Sequence, residues 1–323
     1  MEENAAGARR AAGMLAERLA PTPARQALAL DPTGELYLKL ENFQPTGSFK
    51  IRGATYRIGV LTEAERSAGV VAASTGNHGA AVAHAARDAG VQATVVLPVS
   101  TAPARVAAIE SRGAEVVRHG AECGAAELHA RALAEASGRV FLSPYNDPWV
   151  MAGQGSLGVE LLEQLPDLKT VYVAVGGGGL IGGVACALKS ARPGIEIVGC
   201  SPEASYPMHA SVAAGRITDT PHLETLSVAT AGALEEDTVT LAACQAAVDR
   251  WELCSEDAIS ESLLEIISKE RLLVEGAVGV PLAVWARDRA AGRVTGQCCI
   301  VVCGGNLDVE HLAALLRAQG ESQ

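Results

Sequence analysis

Three short segments carry residue types whose spacing suits covalent and anion-binding chemistry. The first is Thr46-Gly47-Ser48-Phe49-Lys50-Ile51-Arg52-Gly53, just after the strand-like ELYLKLE. Ser48 reads as an N-cap, which sets Lys50 in the first turn of a helix, where the positive end of the dipole and unpaired N–H groups disfavour an ammonium. Burial beside Phe49 pushes the same way, and a neutral amine is what a Schiff-base lysine requires. A surface lysine at a poor helix position is the plain alternative. Against it, the chain has five lysines and 21 arginines, so lysine is not its default surface base. Lys39, in the preceding strand-like run, is expected to tolerate arginine.

The second segment, Ser74-Thr75-Gly76-Asn77-His78-Gly79, lies between the apolar run GVVAAS and the Ala-rich AAVAHAARDAG. A strand followed by a small, hydroxyl-rich turn that opens a helix turns several N–H groups toward one point, which suits a carboxylate or phosphate. A capped turn without any ligand fits the local sequence as well. The third segment is Gly176-Gly177-Gly178-Gly179-Leu180-Ile181-Gly182-Gly183, directly after TVYVAV. Four consecutive glycines cost chain entropy, so the backbone there must approach something closely, and a phosphate is the obvious candidate. Gly177, Gly179 and Gly182 also fit G-x-G-x-x-G, with Glu203 about 20 residues on, as in a dinucleotide-binding fingerprint. A nicotinamide dehydrogenase is therefore a rival reading, although it leaves the other two segments unexplained.

The elements that position these segments alternate. GVVAAS, QATVVLP, AEVVRHG and RVFLSP read as strands, and AAVAHAARDAG, ARVAAIESRG and AAELHARALAEASG between them as helices closed by glycine. The pattern resumes with TVYVAVG, a helix over 180–191, IEIVGCSP, QCCIVVCGG and the helix DVEHLAALLRAQG, whereas 201–238 reads as loop and short elements. This punctuation predicts an α/β fold with parallel sheets covered by helices.

Composition narrows the partners. The formal charge of −11 repels phosphate backbones and anionic lipid, and no basic patch overrides it, so neither nucleic acid nor a membrane surface is an expected partner. The charged N-terminal stretch MEENAAGARRAAGMLAERLA reads as an amphipathic helix rather than a signal peptide. Eight dispersed cysteines without CxxC spacing read as reduced thiols, mostly in the core, in a cytoplasmic protein that holds no structural metal.

Taken in order, LKLENFQPTGSFKIRGA, ASTGNHG, AGQGSLGVELLEQLPDL, VAVGGGGLIGG, ERLLVEGAVG and CIVVCGGNLD resemble the threonine dehydratase, serine dehydratase and serine racemase family of fold type II pyridoxal-phosphate enzymes. The resemblance implies a two-domain α/β fold, each domain a mostly parallel sheet flanked by helices. Residues 1–68 and 147–323 would form the large cofactor-binding domain and 69–146 a small mobile one. It implies that Lys50 forms the internal aldimine, that Phe49 packs on the ring, that Asn77 bonds its phenolic oxygen and that Cys303 faces the pyridine nitrogen. The cofactor phosphate would rest on Gly176, Gly177, Gly178 and Gly179. The substrate carboxylate would rest on the N–H groups of Ser74, Thr75, Gly76, Asn77 and His78.

The implied activity is β-elimination from a β-hydroxy amino acid such as threonine, serine or a phenylserine-like substrate, giving a keto acid and ammonia. Racemisation and β-replacement are the alternatives within the family, and a homodimer is its usual assembly. The segment MHASVAAGR looks most like the hydroxyectoine-utilisation and phenylserine dehydratase-like members. Thr75 stands where the family's racemase carries a serine that acts as acid. Ser201 and Pro207 stand where several members place acidic metal ligands, so metal dependence is not expected.

Overall fold

The computed structural model describes residues 1–307 and 309–321. Asp308, the last residue of CIVVCGGNLD and the start of the expected final helix, lies outside them; the helix is present over Val309–Glu321.

Among the described residues ten strands form two sheets: β1 (Ala24–Gln26), β2 (Leu36–Leu40), β3 (Val70–Ala73), β4 (Ala93–Leu97), β5 (Glu115–Arg118), β6 (Val140–Phe141), β7 (Thr170–Ala174), β8 (Glu196–Pro202), β9 (Arg250–Cys254) and β10 (Cys298–Val302). The larger sheet runs β1-β2-β10-β7-β8-β9 and the smaller β5-β4-β3-β6. Every pairing is parallel except β1 with β2. Strands β4, β7 and β10 are buried at every residue, as continuous apolar runs covered on both faces by helices must be. The expected α/β architecture of mostly parallel sheets is thus present, with β1 an antiparallel edge that the sequence did not announce.

The edge strand β9, RWELC, was also missed. Its first four residues are only half-buried, and an edge tolerates charges that break an apolar run.

Two cores meet around the helix Lys50–Gly59. Ile51, Ala54, Tyr56 and Ile58 pack in the core of the smaller sheet, while Phe49 packs against that of the larger one. The start of this helix is therefore held at the junction of the two sheets. Lys39 meets surroundings that its strand-like run did not show: its side chain is fully buried, and its ammonium reaches the Thr22 carbonyl at 2.7 Å, Glu160 at 2.5 Å and the Gln164 carbonyl at 3.0 Å.

Candidate active site

Strands β2, β3, β7 and β10 deliver their C-terminal ends to one place, which is where open α/β sheets bind ligands. Phe49 and Lys50, the loop from Ser74 to His78, Gly176 to Gly179 and Cys303 all line one cavity of about 860 Å³. The three segments singled out in the sequence therefore converge.

Lys50 opens its helix, as expected, but not through a Ser48 cap. The cap position belongs to Phe49, with no side-chain cap bond. Ser48 instead forms an isolated antiparallel bridge with Gly304, and its buried hydroxyl has no partner. The loop is fastened to the end of β10, because the Phe49 N–H donates to the Cys303 carbonyl at 3.0 Å and Gly305 N–H to Gly47 at 2.9 Å. The Lys50 amine lies 5.1 Å from the Phe49 ring centroid and donates to the Pro144 carbonyl at 2.8 Å. Loss of water lowers its pKa to about 8, with the Glu275 carboxylate partly opposing the shift.

In the second loop Gly76 occupies the cap position of the helix Asn77–Ala89, without a side-chain cap. The Gly76 N–H is already engaged by Ser74 Oγ at 3.2 Å, so the helix's first turn is the better anion contact. His78 is buried, with Nε2 2.9 Å from the Leu142 carbonyl. Desolvation, then the charge of Lys50, lowers its pKa to about 3. A neutral ring brings no charge to an anion, so only the backbone of His78 could serve one.

The glycine loop is shaped by close approach. A Cβ on Gly177 would lie 2.3 Å from the Tyr145 ring and one on Gly176 2.9 Å from the Thr230 backbone, while Gly178 adopts φ +80°. No side chain caps the helix Gly179–Ala191 that follows. The result is a cradle of bare backbone at a helix N-terminus, fit for a phosphate. Glu203, the acidic residue of the dehydrogenase fingerprint, is exposed and does not line the cavity.

Sequence reasoning gave no role to Glu275 and Asn306. The Asn77 amide nitrogen donates to both Glu275 oxygens at 2.8 and 3.1 Å, and the Asn306 amide donates to the Asn77 carbonyl at 2.6 Å. The Cys303 thiol lies 3.7 Å from Glu275 Oε1. Burial raises the Glu275 carboxyl, and burial followed by the Glu275 charge pushes the Cys303 thiol well up, so the thiol stays neutral. The available signal was a lone carboxylate in the apolar run LLVEGAVG.

The family described as pyridoxal-phosphate dependent enzyme matches residues 15–304. The chain belongs to that family. Its cofactor is pyridoxal phosphate, and the glycine cradle, the Lys50 amine and the unpartnered buried hydroxyl of Thr46 on the cavity wall fit that group. The nicotinamide dehydrogenase reading is overturned. The chain is 39% identical over 285 residues to the L-threonine ammonia-lyase of Thermotoga maritima, covering 88% of this chain and 70% of that one. Its fold matches the processed threonine deaminase isoform 2 of Solanum lycopersicum with a TM-score of 0.92 at 29% identity, covering 98% and 94% of the two chains. Maize serine racemase matches with a TM-score of 0.89 at 31% identity and 98% coverage of each.

Among the described residues no helix is long and apolar enough to cross a membrane, and no group of three or more His, Cys, Asp or Glu is placed to hold a metal ion. Ser201 is buried in β8 with its hydroxyl on the Val175 carbonyl, and Pro207 opens a helix.

Proposed function

We propose that this enzyme removes water from a small β-hydroxy amino acid, such as threonine, serine or a phenylserine-like relative, and yields a keto acid and ammonia. The observation that carries the reading is the Lys50 amine, held by one carbonyl and brought to a pKa of about 8 beside two uncapped helix N-termini in one cavity.

Pyridoxal phosphate supplies an electron sink for the charge left when the α-proton departs. Lys50 Nζ would hold the cofactor, and its pKa of about 8 suits it to take the α-proton as a general base. Phe49 would pack on the ring, Asn77 would donate to its phenolic oxygen, and Gly176, Gly177, Gly178 and Gly179 would hold the phosphate. The backbone from Ser74 to His78 holds the substrate carboxylate and so orients the α C–H bond toward Lys50, a kind of positioning that supplies several kcal/mol of barrier reduction. Thr75 places a hydroxyl on the same loop, available as the second acid. Cys303, neutral and already turned to Glu275, would offer the pyridine nitrogen no ready proton, and that would favour loss of the β-hydroxyl over return of the α-proton on the other face.

Residues 69–146 move as a smaller domain over the site, the protein works in the cytoplasm, and it forms a homodimer. The burial of seven of its eight unpaired cysteines agrees with a reducing compartment.

The test is incubation of the holoenzyme with a panel of β-hydroxy amino acids, reading ammonia, keto acid and the enantiomer of recovered substrate, with and without a chelator. Ammonia and keto acid in equal amounts are expected, unaffected by chelation and lost in Lys50→Ala. Racemised substrate without ammonia would replace this reading with the racemase one.

A further inference from the structure

Glu275 is a carboxylate without a lysine or arginine salt-bridge partner among the described residues, buried at 7% exposure in the wall of a cofactor site. Such a group costs several kcal/mol to bury and needs donors aimed at it. It has two. The Asn77 amide and the Cys303 thiol both converge on it, at 2.8 to 3.1 Å and 3.7 Å. Asn77 belongs to the loop after β3 of the smaller sheet and Cys303 to the end of β10 in the larger, so one carboxylate ties the two sheets' contributions together.

The amide is constrained from its other end as well. Asn306 donates to the Asn77 carbonyl at 2.6 Å and to the Thr46 carbonyl at 3.0 Å. With its oxygen held by a donor and its nitrogen by an acceptor, the amide cannot flip without facing like against like at both ends. The amide nitrogen carries two N–H groups, so a single N–H shared between the two carboxylate oxygens would leave the second for the cavity that Asn77 lines.

The backbone makes room for this arrangement. A Cβ on Gly304 would stand 2.6 Å from Glu275 Oε1 and 2.7 Å from its carboxyl carbon, so any side chain there displaces the carboxylate. The Glu275 N–H meanwhile donates to the Gly304 carbonyl at 3.1 Å, which fixes the two residues against each other.

We propose that Glu275 is a positioning residue: it fixes the Asn77 amide and the Cys303 thiol on one carboxylate and so sets the hydrogen-bonding groups presented to the cofactor ring. The proposal rests on the reading of the cavity as the pyridoxal-phosphate site. It assigns Gly304 the part of keeping space for that carboxylate, and Asn306 the part of locking the amide.

The experiment strips the enzyme of cofactor and titrates it with pyridoxal phosphate, reading the dissociation constant and the visible absorbance maximum. Wild type, Glu275→Gln, Glu275→Ala, Gly304→Ala, Asn77→Ala and the Asn77→Ala/Glu275→Ala pair are compared. Glu275→Ala and Gly304→Ala are each expected to weaken cofactor binding about tenfold, the scale of a lost hydrogen bond to a charged group, and to move the absorbance maximum the same way. Glu275→Gln, which keeps an acceptor, recovers part of the loss. The double variant binds more weakly than Asn77→Ala alone by less than the Glu275→Ala loss, because part of that loss acts through Asn77 and only the rest through Cys303. Gly304→Ala keeps the test open should Glu275→Ala fail to fold. An unchanged dissociation constant and band in Gly304→Ala and Glu275→Gln, or additive losses in the double variant, would overturn the proposal alone. A wild-type protein that takes up no pyridoxal phosphate would overturn the reading of the cavity, and this proposal with it.

Discussion

Lys50 and Arg52 stand two residues apart on one helix, and they meet opposite environments. The Arg52 guanidinium is buried and donates to Glu41 at 2.7 and 2.8 Å, to Glu160 at 2.6 and 2.8 Å and to Ser156 at 3.1 Å. Glu41 is fully buried and also accepts from Thr22 at 2.5 Å. Lys50, a turn's fraction away, has a single carbonyl partner and a carboxylate that is already engaged by other donors. Desolvation acts on both cations. Pairing reverses it for Arg52, whose pKa is raised, and leaves it standing for Lys50, whose pKa falls to about 8. Lys39 lies between the two cases: burial lowers its pKa, but three acceptors surround its ammonium. The contrast teaches that the number of acceptors, more than burial, separates a structural cation from a reactive amine in this fold.

The comparison breaks first at Arg52. Arg52→Met leaves Glu41 buried without its cation and is expected to cost about 3–5 kcal/mol of stability in chemical denaturation. A loss under about 1 kcal/mol would mean that the network is dispensable and that Lys50 is anchored by something else.

A smaller loss, about 1–3 kcal/mol, is expected for Lys39→Arg, because the larger guanidinium overpacks a site shaped to an ammonium. Full stability there would bear out the sequence expectation. What that expectation left out has a cause common to the other differences. ELYLKLE gives no hint of what lies across from its lysine, since Glu160 and Gln164 are more than a hundred residues away.

What was legible had a local cause. The strand runs, the helices ending at Gly90 and Gly138, and the three loops all rest on composition within about ten residues. The convergence of those loops was legible only through the resemblance. Ser48 lost its capping role because the Gly304 strand end took the backbone, an interaction across 256 residues (304 − 48). Glu275 and Asn306 were hidden for the same reason, their partners being Asn77 and Cys303 rather than near neighbours.

The smallest effect is a pH slope that sharpens the contrast. Lys50 titrates at about 8 in the folded protein against 10.5 for an ordinary lysine. Between those values the unfolded chain binds more protons, so cofactor-free wild type gains stability as pH rises through that window, and below about 8 the cost is present in full. Relative to Lys50→Ala, the gain from about pH 7.5 to about pH 9 is expected to be about 1 kcal/mol. Parallel profiles for the two proteins would show that the amine keeps its ordinary pKa.

The central claim is that Lys50, among five lysines, is the under-paired amine that takes the cofactor. Borohydride reduction of the pyridoxal-phosphate-loaded enzyme, followed by digestion and mass spectrometry, tests it directly. The account predicts a reduced pyridoxyl adduct on Lys50 alone. An adduct on Lys39 or another lysine, or a loaded enzyme with no covalent adduct, would contradict it.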